Sequence, residues 1–125
     1  MSLTGVVTHS HFQKSHTLKQ RIKISTQIMK KYPNRIPVIC EKAHQRTVMD
    51  LDKTKYLVPR DLTMGQFVYV IRKRIKLRPE EAIFVFTMHA NTLPSTPTLL
   101  SQIYKDYKDE DGFLYFTVGC QETFG

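Results

Sequence analysis

The chain has 125 residues, 41% of them hydrophobic, which suits one compact domain with a single buried core. No apolar run approaches the ~20 residues that span a bilayer and the start lacks the layout of a secretory signal, so we expect a cytosolic protein. The net charge of +8 is uneven: residues 1–35 contain seven Lys or Arg and no acidic residue, whereas the segment from Tyr104 onwards is net negative.

The first predicted element is a helix from about Thr17 to Lys31, preceded by a polar start. Its apolar residues recur at helical spacing on two neighbouring stripes, Leu18–Ile22–Met29–Tyr32 and Ile24–Ile28. One buried stripe is enough to dock a helix on a domain, and we expect the first stripe to do so. Two interpretations stay open for the second stripe, burial in the core or the lining of a separate surface.

Two strands are predicted next. Arg35–Lys42 reads RIPVICEK, and Pro37 within it indicates an edge position or an unpaired amide. Lys55–Pro59 reads KYLVP and is apolar on both sides, with Tyr56 and Val58 on one and Leu57 on the other. Because proline and flanking lysines mark sheet edges, we predict an apolar edge strand that is open to a partner strand.

The remaining pattern predicts an amphipathic helix, a fully buried strand, a short helix and a last strand, at Leu62–Ile75, Ala82–Phe86, Thr98–Lys108 and Gly112–Val118. This order favours an α+β fold in which one sheet lies across a central helix, an arrangement that the β-grasp fold satisfies. We divide the chain into an N-terminal helical segment (1–33), a β-grasp core (34–118) and a flexible tail (119–125).

The sequence lacks the motifs of catalysis and of metal binding. It contains no GxGxxG, GxxxxGK[ST], HExxH or GxSxG, so we expect no enzyme and no cofactor. None of the five histidines has a partner at metal-ligand spacing, and the acidic run Asp109–Gly112 is interpreted as a turn rather than a calcium loop. Cys40 and Cys120 are interpreted as buried free thiols.

Several runs resemble one family closely. They are YPNRIPVICEKA (32–43), DKTKYLVPRDLTMGQFVYVIRKRI (52–75), AIFVF (82–86), NTLP (91–94), KDEDGFLYFT (108–117) and the ending ETFG (122–125). These runs are similar to those of the ubiquitin-like autophagy modifiers, which include microtubule-associated light chain 3 and the GABA-receptor-associated protein. The resemblance covers roughly residues 18–125.

The resemblance implies a ubiquitin-like β-grasp fold with two additional N-terminal helices and a covalent role for the terminal Gly125. Activating and conjugating enzymes would join Gly125 to phosphatidylethanolamine, and a cysteine protease would process and delipidate the protein. A glycine carboxylate suits such chemistry because it has no side chain to obstruct a narrow active site. We therefore expect a monomeric modifier in the cytoplasm and, when lipidated, on the autophagosome membrane.

The resemblance also implies a peptide groove for cargo receptors that carry W/F/Y-x-x-L/I/V motifs. Its first pocket, for the aromatic residue, would consist of Ile28, Pro37, Ile39, Lys55, Leu57 and Phe113. Its second pocket, for the aliphatic residue, would consist of Tyr56, Val58, Pro59, Leu62, Phe67 and Val70. Acidic residues that flank the motif would meet Arg35, Lys53 and Arg74. The peptide would pair with the edge strand by β-augmentation.

Alternatives and departures from the family pattern remain. The same fold could bind peptides or tubulin without being lipidated, and the basic first segment could meet anionic lipid or nucleic acid. Nucleic acid is not expected, because the strands lack the aromatic sheet face of RNA-binding modules. Leu18 and Ile24 stand where the family commonly has an aromatic and an acidic residue, so the groove's rim is more apolar and more basic than usual.

Overall fold

The computed structural model describes residues 10–42, 54–75 and 82–120. Within these ranges no helix has the length and apolar character needed to cross a membrane. The predicted order of elements is confirmed: α1 His11–Ser15, α2 Leu18–Lys31, β1 Arg35–Lys42, β2 Lys55–Pro59, α3 Met64–Arg74, β3 Ile83–Thr87, α4 Leu100–Tyr107 and β4 Leu114–Cys120.

The four strands form one mixed sheet in the order β2-β1-β4-β3. Strand β1 pairs antiparallel with β2 and parallel with β4, and β3 pairs antiparallel with β4. The prediction that β2 is an edge strand is confirmed, since it ends the sheet within the described residues.

Pro37 lies in an interior strand, so the edge interpretation of this residue is wrong. The N–H of Cys40 donates to the carbonyl of Thr54 at 2.8 Å, which fixes the hydrogen-bond alternation between β1 and β2. By that alternation the nitrogen of Pro37 points away from β2, while pairing with β4 begins only at Val38. No backbone N–H is needed at this position, which agrees with the other interpretation of Pro37, an amide without a hydrogen-bond partner.

The prediction of a fully buried strand at Ala82–Phe86 is also wrong. Strand β3 starts one residue later and lies at the second edge of the sheet, where Phe84 is 37% exposed and Val85 is buried. A continuous apolar run has the same composition in a central strand and in an edge strand, so the pattern did not reveal that one face of β3 is exposed. The last strand starts two residues later than predicted, because Gly112 (φ 92°) belongs to the preceding turn.

Helix α3 packs on one face of the sheet and forms the larger core cluster. Thr63 caps the helix by accepting a hydrogen bond from the N–H of Gln66. Phe67 lies at the centre, with its ring centroid 5.9 Å from that of Tyr56 and 5.4 Å from that of Phe116. Cys40 is buried in this cluster as predicted, and burial raises the pKa of its thiol far above the ordinary range.

The N-terminal helices cover the opposite face and bury the smaller cluster, which consists of Phe12, Ile39, Met88, Phe113 and Tyr115. Ile24 and Ile28 of α2 pack against this cluster. Leu18 and Ile22, which we expected to dock the helix, are 38% and 41% exposed. The prediction that the Leu18–Ile22 stripe docks the helix is therefore wrong, and the Ile24–Ile28 stripe docks instead. Both stripes have helical spacing, so only the tertiary contacts distinguish them.

Candidate functional site

Strand β2 separates two apolar surfaces at the open edge of the sheet. The pairs Pro37 with Leu57 and Ile39 with Lys55 lie on the face that α2 covers. Because side chains alternate along a strand, Tyr56 and Val58 lie on the opposite face, where they join the core cluster under α3. Strand β2 thus borders two apolar surfaces, one that it shares with α2 and one that it shares with α3.

On the α2 face, the structure brings together the residues assigned to the first pocket, with different degrees of burial. Ile39 and Phe113 are 0% and 1% exposed and form a floor. Ile28 and Leu57 are half-buried and form the walls, and Lys55 is exposed at the rim. Pro37 is buried next to the floor.

Phe12 of α1 is part of this surface, although no sequence pattern pointed to it. Its ring centroid lies 5.1 Å from that of Phe113, and the ammonium nitrogen of Lys55 lies 5.4 Å from the Phe12 centroid. An isolated aromatic residue in a polar segment was the available clue. Helix α1 therefore supplies one side of the surface assigned to the first pocket.

On the α3 face, three of the six residues assigned to the second pocket belong to the core. Tyr56, Val58 and Phe67 are buried, while Leu62 is half-buried and Val70 is exposed above them. The accessible part of this surface is therefore formed by Leu62 and Val70. Pro59 differs, because the alternation along β2 places it on the same face as Leu57.

The open edge of β2 presents backbone groups as well as side chains. The alternation that the Cys40–Thr54 hydrogen bond fixes turns the N–H and C=O groups of Lys55 and Leu57 toward this edge. The Leu57 carbonyl accepts a hydrogen bond of 3.3 Å from Nη1 of Arg35. A further cation lies on the α3 side, where the guanidinium of Arg74 is 5.8 Å from the Tyr56 ring centroid. Lys53, the third predicted cation, lies outside the described residues.

The position of α2 is fixed by a buried carboxylate that sequence analysis interpreted only as part of a turn. Asp111 Oδ2 accepts hydrogen bonds from Nε of Arg21 at 2.8 Å and from the hydroxyl of Tyr115, and its Oδ1 accepts the N–H of Phe113 at 2.8 Å. Burial, together with the Asp111 carboxylate, raises the pKa of Tyr115 far above its usual range. Asp111 thereby joins the helix of the first pocket to the turn that carries its floor.

Gly112 allows α2 to approach this turn closely. The hydroxyl of Ser25 donates to the carbonyl of Asp111, and a Cβ atom at Gly112 would lie 2.6 Å from Ser25 Oγ. The φ of 92° at Gly112 is also one that residues with a side chain rarely adopt. Both the backbone conformation and the space available require glycine here.

Helix α1 is held by a carboxylate on β1. The backbone N–H groups of His11 and Phe12 donate to the two oxygens of Glu41, each at 3.0 Å. Five residues are too few for a helix that is stable by itself, so these contacts and the packing of Phe12 stabilise α1. Among the residues of the three described ranges, no group of His, Cys, Asp and Glu side chains could hold a metal ion. Gly125 lies outside those ranges.

Comparison with known proteins identifies the family. The model of the autophagy protein Atg8 ubiquitin-like family matches residues 20–125. Autophagy-related protein 8a of Arabidopsis thaliana is 60% identical over 116 residues, which cover 93% of each chain. Autophagy-related protein 8 of Mycosarcoma maydis is 55% identical over 116 residues, which cover 93% of this chain and 97% of the other.

Two solved structures have the same fold. The crystal structure of Trypanosoma brucei ATG8 matches with a TM-score of 0.83 at 42% identity, over 94% of this chain and 99% of the other. Plasmodium falciparum Atg8 in complex with a Plasmodium falciparum Atg3 peptide matches with a TM-score of 0.78 at 31% identity, over 88% and 95% of the two chains. The chain therefore belongs to the Atg8 family of ubiquitin-like autophagy proteins.

Proposed function

We propose that this chain is conjugated through Gly125 to phosphatidylethanolamine on autophagosomal membranes, and that it then recruits cargo receptors with W/F/Y-x-x-L/I/V motifs. Membership of the Atg8 family supports the first part of the proposal. The observation that carries the second part is the open edge of β2, which has an apolar surface on each of its two faces.

The spacing of the motif fits this edge. In an extended peptide, residues that are three positions apart point to opposite sides of the strand, because side chains alternate at every residue. A peptide paired with β2 would therefore direct its aromatic residue to the α2 face and its aliphatic residue to the α3 face. The outward N–H and C=O groups of Lys55 and Leu57 would supply the backbone hydrogen bonds of β-augmentation.

The energies expected for such a complex are modest. Each buried anchor contributes about 1.5–3 kcal/mol, offset by the ordering of the peptide, so micromolar affinity is the expected scale. Acidic residues beside the motif would meet Arg35, Arg74 and Lys53, and this complementarity would mainly raise the association rate and specificity. The peptide bound to Plasmodium falciparum Atg8 supports a short segment as the ligand.

Conjugation would determine where the protein acts. An activating enzyme would use ATP to convert the Gly125 carboxylate to an adenylate with release of pyrophosphate, and the acyl group would pass to an enzyme thiol with release of AMP. The lipid amine would then displace the thiol to form an amide. A cysteine protease would process the precursor and later hydrolyse this amide to remove the lipid. Two acyl chains, each contributing about 0.8 kcal/mol per buried CH₂, would anchor the protein stably where basic residues alone would not. The chain would thus be a substrate of these enzymes and would not catalyse a reaction itself.

The test of conjugation compares wild type with Gly125→Ala, both tagged at the N-terminus and expressed in starved cells of the source organism. Membranes are washed at high salt, which removes proteins that are held only by electrostatic attraction. We expect retention of wild type and loss of Gly125→Ala. Equal loss of both proteins would contradict lipidation and would favour the alternative, a peptide-binding module that is not lipidated.

A further inference from the structure

We infer that strand β3 is a second interaction surface, through which two copies of this chain pair antiparallel and join their sheets edge to edge. In this pairing Ile83 lies opposite Val85 of the second copy, and Phe84 lies opposite its own equivalent. The inference goes beyond the proposed conjugation and peptide binding, because it concerns the edge of the sheet opposite to β2.

The outer edge of β3 carries backbone groups that the sheet does not use. The N–H of Met88, the residue after the strand, donates to the carbonyl of Tyr115 on β4 at 3.0 Å. Since hydrogen-bonded pairs alternate along an antiparallel ladder, this bond fixes which residues of β3 bond to β4. The N–H and C=O groups of Ile83, Val85 and Thr87 face away from β4.

Two of these three residues are available to a partner strand. The outward N–H of Thr87 already donates to the carbonyl of Thr92 at 2.8 Å, so the loop after β3 closes that end of the edge. In the part of the chain that the structure describes, no hydrogen bond occupies the outward backbone groups of Ile83 and Val85. A partner strand can therefore form a ladder at these two positions.

The arrangement of the two positions is complementary to itself. If a twofold axis passes through Phe84, Ile83 and Val85 of one copy face Val85 and Ile83 of the other. Each of these two pairs exchanges two N–H···O bonds, so the contact contains four hydrogen bonds. An axis through Val85 would instead place Ile83 opposite Thr87, whose N–H is already bonded. The register centred on Phe84 therefore uses every free group of the strand.

The side chains of β3 also suit an identical partner. Val85 packs in the core cluster under α3, so Phe84 points to the opposite face, where it is 37% exposed. The Cα atoms of the two Phe84 residues would be about 4.5 Å apart in a non-hydrogen-bonded pair, so each ring would cover the other. None of the residues Ile83–Thr87 is charged, so the twofold axis brings no like charges together.

The two edges of the sheet differ in how they are protected. Strand β2 begins with Lys55 and ends with Pro59, and Nη1 of Arg35 donates to the carbonyl of Leu57. Lysine and proline are residues by which edge strands avoid pairing with an identical chain. Strand β3 reads IFVFT and contains neither, so it is the edge that permits self-pairing.

The pairing would be weak in solution and effective on a membrane. One short strand from each copy buries less than the about 1,200 Å² of a stable interface, so we expect a dissociation constant of about 0.1–1 mM. Conjugation of Gly125 would confine the copies to one surface and raise their effective concentration into this range. The pair would present β2 at both ends of the joined sheet and thus offer two grooves to a receptor with two motifs. This consequence rests on the proposed function, whereas the pairing does not.

Thiol cross-linking in solution tests which residues face each other. Every variant carries Cys120→Ser, and Cys40 is buried, so the introduced thiol is the one that reacts. In Phe84→Cys the two thiols would face each other at a Cα separation within the range of a disulfide. Tyr107→Cys is the matched control, because Tyr107 is 38% exposed and lies on α4, which packs against β1. With diamide as the oxidant, we expect Phe84→Cys to form dimers at least about tenfold faster than Tyr107→Cys.

Phe86→Cys serves as a control for the register. In the register centred on Phe84, the two copies of residue 86 are four positions apart, which is about 13 Å and beyond the reach of a disulfide. We expect this variant to cross-link no faster than Tyr107→Cys. Circular dichroism would verify that each cysteine variant is folded.

Sedimentation equilibrium tests the pairing without a cross-link. Wild type is expected to dimerise in samples of up to about 2 mM. Phe84→Lys and Phe84→Glu would each place like charges opposite one another, and both should associate at least about tenfold more weakly than wild type. An equimolar mixture places a lysine opposite a glutamate, and we expect it to dimerise at least about fivefold more tightly than either variant alone. Tyr107→Lys and Tyr107→Glu, alone or mixed, should behave as wild type.

Three results would each overturn the inference. They are a wild type that stays monomeric at about 2 mM, a Phe84→Cys variant that cross-links no faster than Tyr107→Cys, and a charge mixture no more associated than its components. Rapid cross-linking of Phe86→Cys would overturn the register centred on Phe84. The measurements use the full chain without lipid or peptide, so any of these results would leave the proposed function standing.

Discussion

Arg21 on α2 and Asp111 in the turn before β4 are joined by a contact of 2.8 Å between Nε and Oδ2, and their side chains are 12% and 0% exposed. The same guanidinium donates from Nη1 to the carbonyls of Gln13, within α1, and of His16, which follows the helix. One buried ion pair therefore connects both N-terminal helices to the turn that carries Phe113. The geometry of the proposed first pocket would depend on this connection.

Replacing Asp111 should destabilise the fold strongly. Asp111→Asn keeps an oxygen that accepts the N–H of Phe113, but it replaces the oxygen that faces Arg21 and Tyr115 with an NH₂ donor. The charge of Arg21 then has no counterion, and the hydroxyl of Tyr115 has no acceptor. Breaking one side of a buried ion pair costs about 3 kcal/mol or more, and we expect a loss of that size in the free energy of unfolding in urea.

Asp106→Asn is the control for this substitution. Asp106 is exposed on α4 and accepts a hydrogen bond from Gln102 at 3.0 Å, so the same chemical change should cost less than about 0.5 kcal/mol. Similar losses in the two variants would contradict a structural role for the buried pair.

Gly112 should be much less tolerant of alanine than Gly65. Gly112→Ala requires a left-handed φ and brings Cβ to 2.6 Å from Ser25 Oγ, so we expect a loss of about 2 kcal/mol or more in the free energy of unfolding. Gly65→Ala in α3 would place Cβ 3.3 Å from Thr96, and the gain in helix propensity of ~1 kcal/mol opposes that contact. Urea unfolding of both variants gives the comparison, and equal stabilities would refute the argument.

The sequence was sufficient to predict the elements whose evidence is local. The bounds of β1 and β2 and the edge position of β2 follow from alternation, proline and flanking lysines, all within a few residues. The family resemblance supplied the residues that we propose for the groove, and the structure places several of them on or beside β2. These predictions need no knowledge of which distant segments pack together.

The features that the sequence did not reveal depend on long-range contacts. The stripe of α2 that docks is decided by the smaller core cluster, and the exposure of Phe84 by the position of β3 in the sheet. Asp111 is ninety residues away from Arg21, so its acidic neighbours suggested only a turn. Whether an acidic residue is buried depends on the packed structure, whereas the acidic composition around Asp111 favours an exposed position.

Stability at alkaline pH should depend on Cys40. Burial raises the pKa of this thiol in the folded state above the 9.0 of an exposed thiol. A group of this kind contributes stability that is complete below its unfolded pKa and is lost as the pH rises above it. The free energy of unfolding should therefore fall between about pH 8 and about pH 10 by ~1.5 kcal/mol more in wild type than in Cys40→Val. Parallel curves for the two proteins would contradict this assignment.

Leu57 should contribute to peptide binding more than to folding. It is half-buried at the open edge of β2, opposite Pro37, so Leu57→Ala removes apolar surface from the first pocket and leaves the core under α3 unchanged. Losing about half of a buried leucine side chain amounts to ~1.4 kcal/mol, and we expect about tenfold weaker binding of an acid-flanked F-x-x-L peptide.

Leu93→Ala provides the matched control for the groove. Leu93 is exposed and lines a cavity of about 360 Å³ between α3 and β3, at the opposite edge of the sheet from β2. The same loss of side-chain atoms there should leave the peptide affinity within about twofold of wild type, because a peptide paired with β2 cannot reach that edge. If Leu93→Ala weakens binding as much as Leu57→Ala, the peptide does not lie along β2, since two leucines at opposite edges of a four-stranded sheet cannot both contact one short extended segment.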